Sequence, residues 1–81
     1  MDPSAVIEVL RQFVPTEITI TTQSRLAEDL LIDSMNLIDL ILSLEETFQL
    51  QIPTSDVRIE NFQTVEKIII YIERTLETSK A

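Results

Sequence analysis

Apolar residues recur at helical spacing from the start of the chain. Asp2 before Pro3 is typical of a helix start, because aspartate caps free N–H groups and proline is tolerated at the first helical position. The apolar residues that follow share one helical face: Val6, Val9, Leu10 and Phe13. The pattern predicts a first helix to about Val14, ended by Pro15.

A longer amphipathic stretch occupies the middle of the chain. The pattern predicts a second helix from about Ser34 to Leu50, ahead of the helix breaker Pro53. At 100° per residue one face of this helix is suited to a core: Leu37, Leu40, Ile41, Leu44 and Phe48.

Two further helices are predicted in the C-terminal part. Ser55 or Asp56 can cap a short third helix that ends near Glu60. The segment TVEKIIIYIERTLE has a β-branched run, but helix is favoured over strand because its apolar residues fall on one helical face: Val65, Ile68, Ile69, Ile72 and Leu76. Thr64 is the expected N-cap, and Ile70 should be exposed among charged residues.

The remaining segment, residues 15 to 32, has no helical pattern. Ile18 and Ile20 alternate as in a strand, but no second strand is available to pair with them. We therefore expect a long loop whose apolar residues tuck under the helices. The prediction is an all-α fold, a small four-helix bundle formed by one domain over residues 1–81, with a frayed tail at 79–81.

Composition excludes several classes of function. The chain has no histidine and no cysteine, which removes the commonest general base, the commonest metal ligands and any disulfide. We therefore expect neither an enzyme nor a metal site. The N-terminus MDPSAVIEVL lacks the basic and apolar regions of a signal peptide, and no run approaches the roughly 18 apolar residues of a membrane span. A cytoplasmic monomer without membrane insertion is expected.

Negative charge is concentrated in the middle of the chain. The net charge is −8, and between Leu26 and Val57 there is no lysine or arginine, although seven acids lie there: Glu28, Asp29, Asp33, Asp39, Glu45, Glu46 and Asp56. Such a field repels nucleic acid and steers the domain towards a partner with a basic docking face. The alternative is that these acids only keep a small domain soluble.

The second helix carries apolar residues beyond its core face. Met35, Ile38 and Leu42 form a second stripe on the side of Ser34, with Glu45 at one edge and Asp39 and Glu46 at the other. An apolar strip edged by charge is typical of a surface that binds a partner. The alternative is that an edge of this stripe packs against the long loop.

Ser34 opens this helix after Asp33, and the pair has two interpretations. Either residue can simply cap the helix. Alternatively, the serine hydroxyl is exposed, and a phosphate attached to it would meet the positive end of the helix dipole. With no histidine in the chain, any chemistry at Ser34 must be performed by another enzyme.

The segment LAEDLLIDSMNLIDLILSLEETFQLQIP resembles the core of acyl and peptidyl carrier proteins. The resemblance rests on Asp29-Leu30, on Asp33-Ser34-Met35 at the helix start, and on Ile52-Pro53 after it. In that family the motif serine receives a 4′-phosphopantetheine arm from coenzyme A, and acyl or aminoacyl groups ride on the thiol of the arm as thioesters. The resemblance implies attachment at Ser34, flanked by Asp33.

The same resemblance implies a set of partner enzymes. These are a phosphopantetheinyl transferase, an acyl- or aminoacyl-loading enzyme, and synthases or transferases with basic docking faces. The segment TSDVRIENFQTVEKI favours a carrier in a specialised polyketide, nonribosomal peptide or D-alanyl transfer pathway. The alternatives are a housekeeping fatty-acid carrier and an acidic helical adaptor that is never modified.

Two positions depart from the family pattern. The family usually has glycine two residues before the motif aspartate, where this chain has Leu31, and often an acid after the motif, where it has Asn36. The first departure implies a stiffer loop before Ser34, and the second a different contact with the transferase or another partner.

Overall fold

A computed structural model describes residues 2–79, apart from the side chains of Ile59 and Ser79. Its elements are α1 (Pro3–Arg11), α2 (Ser34–Phe48), two 3₁₀ turns (Thr54–Asp56 and Ile59–Asn61) and α3 (Val65–Ser79). Over this range no strand forms, so the predicted all-α class is confirmed.

The first helix begins as the sequence predicts but ends earlier. The Asp2 carboxylate accepts a hydrogen bond from the Ser4 N–H at 3.0 Å, and Pro3 is the first helical residue. The helix ends at Arg11 rather than near Val14. The Arg11 guanidinium donates to the carbonyls of Pro15 and Ile18, at 2.6 and 2.7 Å, and so fixes the chain where it leaves the helix.

The second helix ends at Phe48, two residues before the predicted end. Gln49 adopts a left-handed conformation with φ of 52°. The Glu45 carbonyl accepts hydrogen bonds from the N–H groups of Gln49 and Leu50, the latter at 3.1 Å. This pattern ends a helix and is usually built on glycine, which this chain lacks.

The predicted short third helix is wrong, so the four-helix count is not confirmed. Two 3₁₀ turns take its place. In an α-helix the Asp56 carbonyl would accept from the N–H four residues on. Here it accepts from the Arg58 N–H, two residues on, and from the Asn61 side chain, both at 2.8 Å, so the chain makes an inverse γ-turn at Val57 between the two 3₁₀ turns.

The third helix, α3, starts after Thr64, whose hydroxyl accepts a hydrogen bond from the Lys67 N–H at 3.2 Å. This confirms the predicted cap. Ile70 is 40% exposed, also as predicted. Ser79 closes the helix, and residues 80 and 81 of the expected frayed tail lie outside the described residues.

The core is formed by the predicted helix faces together with residues from the connections. The helices contribute Val6, Val9, Leu10, Leu40, Ile41, Leu44, Val65, Ile68, Ile69 and Ile72. The connection from residue 12 to 33 adds Val14, Leu26, Leu30 and Ile32, with Ile18 and Ile20 partly buried against them. Of the helices described, none is long and apolar enough to cross a membrane.

Candidate functional site at the start of the second helix

Asp33 caps the helix and Ser34 presents an exposed hydroxyl, so each residue has one of the two roles considered for this pair. Asp33 is the N-cap, because its carboxylate accepts a hydrogen bond from the Asn36 N–H at 2.8 Å. Ser34 is the first helical residue and is exposed. Its hydroxyl makes no hydrogen bond to any residue that the structure describes. Ser34 is thus accessible and is not needed as the cap.

The backbone at this helix start is suited to an anion. Within the described chain, the N–H groups of Ser34 and Met35 have no hydrogen-bond acceptor. Free N–H groups and the helix dipole both favour negative charge at this end. A phosphate ester on Ser34 would lie beside them.

A groove of about 360 Å³ opens beside Ser34. Its apolar lining comes from Leu26, Ile32, Leu37 and Phe62, while Glu28 and Asp33 add carboxylates. Phe62 belongs to the segment before α3, and no spacing pattern in the sequence indicates that it lies here. The groove can therefore hold a slender, mainly apolar group attached at Ser34.

Backbone hydrogen bonds join the two walls of this groove. The Leu26 N–H donates to the Gln63 carbonyl at 3.0 Å, and the Val65 N–H donates to the Ser24 carbonyl at 3.0 Å. Arg25 and Thr64 accordingly form an isolated antiparallel bridge. The loop before Ser34 is anchored to the start of α3, so backbone hydrogen bonds fix the two sides of the groove relative to each other.

Asp29 orders the loop that leads to the site. Its carboxylate accepts from the Arg25 backbone N–H at 2.8 Å and from the Arg25 guanidinium at 3.3 Å. The backbone hydrogen bond first, and the guanidinium second, hold the pKa of Asp29 below its usual value. Arg25 also pairs with Glu28 at 2.9 Å, so it offsets part of the acidic charge near the groove.

The second apolar stripe of α2 is exposed. Met35 is 78% exposed, and Ile38 and Leu42 are each 58% exposed. We call these three residues the apolar strip. The alternative that the strip packs against the long loop does not apply to them.

The three acids expected around the strip differ in their environment. Asp39 and Glu46 are exposed. Glu45 is half-buried, and its carboxylate accepts a hydrogen bond from the Ile52 N–H at 2.9 Å. Helical spacing alone could not indicate this contact, because Ile52 lies beyond the end of the helix.

Leu31 occupies an unusual backbone position three residues before Ser34. Its φ is 58°, in the left-handed region that favours glycine, and its side chain is 65% exposed. Leu31 thus places a Cβ at a backbone position that glycine, the usual residue of the family here, adopts more easily.

The site has the features needed to hold a covalently attached group. No cluster of metal-ligating residues occurs in the part of the chain described. The site can present a modified serine at an exposed helix start, next to a groove and an apolar strip.

Comparison with known proteins gives a consistent result. Residues 4–72 match the model of a family described as "Phosphopantetheine attachment site". An acyl carrier protein from Onion yellows phytoplasma (strain OY-M) is 36% identical over 74 residues, which are 85% of this chain and 95% of that protein.

Two further relatives bear the same name. The acyl carrier protein of Phytoplasma australiense is 41% identical over 58 residues, 72% of this chain and 74% of that protein. That of Campylobacter lari (strain RM2100 / D67 / ATCC BAA-1060) is 35% identical over 65 residues, 80% of this chain and 82% of that protein.

Proposed function

The chain belongs to the acyl carrier proteins of the phosphopantetheine-attachment family, and we propose that it carries acyl thioesters on an arm attached to Ser34. Members of this family are carriers that other enzymes act upon, and are not themselves enzymes. The cofactor of the family is covalent 4′-phosphopantetheine. Its terminal thiol supplies the thioester chemistry that a cysteine-free chain lacks.

The observation that carries the assignment to Ser34 is its position as the first residue of α2. The hydroxyl is exposed and free of hydrogen bonds within the described chain, while Asp33 performs the capping. Two neighbouring N–H groups have no acceptor there and are placed to interact with the phosphate of the arm. Ser24 lacks this combination, because it is buried and its hydroxyl oxygen accepts from the Thr21 N–H at 2.9 Å.

The groove beside Ser34 gives the arm a resting place. The arm leaves the serine at the edge of the groove, and Leu26, Leu37 and Phe62 offer apolar contact. Burial of apolar surface favours this position by roughly 25 cal/mol per Å². The groove is open, so partner enzymes can withdraw the arm.

The apolar strip is the proposed docking surface for the partner enzymes. Met35, Ile38 and Leu42 would lie under the partner, and Asp39 and Glu46 would attract its basic residues. The partners are a phosphopantetheinyl transferase, an acyl- or aminoacyl-loading enzyme, and synthases or transferases that use the loaded arm.

A role in a specialised polyketide, nonribosomal peptide or D-alanyl transfer pathway is the finer proposal. The sequence of the segment that follows Pro53, TSDVRIENFQTVEKI, is the feature that favours it. A housekeeping fatty-acid carrier is the competing proposal. It is supported by the name of the relatives, acyl carrier protein, which specifies no specialised pathway. The intact mass of the protein from its native host distinguishes the two, since it reads the group bound to the arm.

The main proposal is tested by incubating the protein with coenzyme A, Mg²⁺ and a broad-specificity phosphopantetheinyl transferase and measuring attachment of the phosphopantetheine arm. The wild type and Ser43→Ala should each gain one arm by mass, whereas Ser34→Ala should gain none. Because Ser34 is not the cap, the free energy of unfolding of Ser34→Ala should stay within about 0.5 kcal/mol of the wild type. An arm on another serine, or on none, overturns the proposal and favours the unmodified adaptor.

A further inference from the structure

Exposed large apolar side chains are concentrated on both sides of Ser34. In the described structure five such residues are strongly exposed, and four of them lie between positions 31 and 42: Leu31, Met35, Ile38 and Leu42. The fifth, Ile70, lies on α3. A single exposed leucine is ordinary, but a group around one modification site indicates contact with another molecule.

Leu31 differs from the other three because its backbone conformation is unfavourable and its exposed side chain adds nothing to the core. Its neighbours Leu30 and Ile32 are buried, and their N–H groups donate to the carbonyls of Arg25 and Leu26, at 3.1 and 2.9 Å. These bonds hold the turn and place Leu31 at φ of 58°. A left-handed conformation is unfavourable for a residue with a Cβ, and an exposed side chain recovers little of this cost through burial.

Leu31 is also within reach of any enzyme that acts on Ser34. Three residues of extended chain span at most about 11 Å, so an enzyme whose active site reaches the Ser34 hydroxyl must cover the surface around Leu31. Of the acids beside it in the sequence, Glu28 and Asp29 pair with Arg25, and Asp33 forms no ion pair with any residue that the structure describes. A complementary partner surface is therefore an apolar pocket rimmed with basic residues.

We propose that Leu31 is a contact residue for the phosphopantetheinyl transferase, extending the docking surface to the loop that precedes Ser34. The inference rests on the proposed attachment at Ser34. The side chain contributes to the affinity of the encounter and takes no part in the transfer step.

The test compares Leu31→Ala and Leu31→Asn with the wild type, using a phosphopantetheinyl transferase that arms the wild type. Alanine keeps the Cβ and the backbone cost, and asparagine tolerates the left-handed conformation while removing the apolar surface. Both variants should raise KM about five- to tenfold with kcat within about twofold, as expected when a docking contact is lost. Ile70→Ala, which removes an exposed apolar residue from α3, is the control and should leave KM unchanged.

The outcomes separate this inference from the proposed function. Wild-type KM in both Leu31 variants overturns the contact at Leu31 and leaves attachment at Ser34 intact. A rise in KM for the alanine variant alone also overturns it, because the asparagine variant lacks the same apolar surface. Failure of the wild type to accept an arm overturns both proposals. Thermal melts of each variant ensure that only folded protein is compared.

Discussion

The carboxylate of Glu45 accepts a hydrogen bond from the backbone N–H of Ile52 at 2.9 Å. This contact ties the last turns of α2 to the segment that leaves it and gives Glu45 a structural role. The adjacent acid, Glu46, is exposed and makes no such bond. Two neighbouring acids that were expected to act alike at the docking surface thus lie in different environments.

Charge reversal at Glu46 should affect docking without affecting the fold. Glu46→Lys should slow arm transfer through a lower association rate, and the defect should shrink as salt screens attraction beyond a Debye length of roughly 8 Å. Its free energy of unfolding should change by less than about 0.5 kcal/mol. Equal transfer rates for mutant and wild type at low salt would exclude Glu46 from the docking surface.

Glu45 gives the matched comparison. Glu45→Ala leaves the Ile52 N–H without its acceptor and should lower the free energy of unfolding by about 1–2 kcal/mol, whereas Glu45→Gln keeps an acceptor oxygen and should lower it less. Urea denaturation of the two variants measures the difference. If both variants are as stable as the wild type, the hydrogen bond does not contribute to the fold.

Substitution of Gln49 by glycine should stabilise the protein. Gln49 ends α2 at φ of 52°, which costs a residue with a Cβ about 1–2 kcal/mol, while glycine loses about 0.5–1 kcal/mol more entropy on folding. Gln49→Gly should therefore raise the free energy of unfolding by up to about 1 kcal/mol. Gln49→Ala keeps the Cβ and should show no gain, so a gain in both variants would assign the effect to loss of the glutamine side chain.

The parts of the fold that the sequence predicted are those determined by local chemistry. Asp2 and Pro3 specify the start of α1, and Thr64 caps α3, because capping involves residues within three positions of each other. The exposed strip of α2 followed from helical spacing, which assigns side chains to faces without reference to the rest of the chain.

The features that the sequence did not predict depend on contacts between distant residues. The Arg11 guanidinium at the end of α1 donates to the Ile18 carbonyl, seven residues on. Asp56 lies in a 3₁₀ turn, and its carbonyl accepts a hydrogen bond from the Asn61 side chain. Phe62 lines the groove beside Ser34, where the segment that carries it is joined to the preceding loop by the bridge between Arg25 and Thr64. Neither periodicity nor capping signals carry information about such pairs.

Tyr71 should make the stability of the fold sensitive to alkaline pH. Its hydroxyl donates to the Asp56 carboxylate at 2.7 Å, and burial, followed by this hydrogen bond, raises the pKa of Tyr71 to about 12. The folded state thus holds the phenol proton at pH values where the unfolded chain releases it. This contribution is complete below pH 10, the ordinary pKa of tyrosine, and is lost as the pH rises towards 12.

Tyr71→Phe tests this. At neutral pH the variant should lose about 0.5–1.5 kcal/mol of unfolding free energy with the hydrogen bond, but above pH 10 its stability should fall less steeply than that of the wild type. Because Tyr71 is the single tyrosine of the chain, the ultraviolet absorbance of phenolate also reports its pKa directly. A phenol that titrates near 10 in the folded protein would contradict the raised pKa.

Alanine variants of Leu42 and Leu44, which lie on the same helix, distinguish an effect on docking from an effect on folding. Leu42 is 58% exposed, whereas Leu44 is fully buried in the core. Leu44→Ala leaves a cavity and should lower the free energy of unfolding by roughly 2–5 kcal/mol. Leu42→Ala leaves no cavity, so it should lower stability by well under that amount while weakening docking of the loaded carrier to its partner enzymes.

Urea melts of the two variants and a loading assay at a temperature where both are folded measure these effects. The expected result is a crossing pattern, in which Leu44→Ala loses stability with little change in KM for loading and Leu42→Ala raises KM with little change in stability. If Leu42→Ala loads with the KM of the wild type, Leu42 lies outside the docking surface, and its exposure is that of an ordinary surface leucine. The contact with partners would then be confined to the N-terminal part of the strip, Met35 and Ile38, next to Ser34 and the arm.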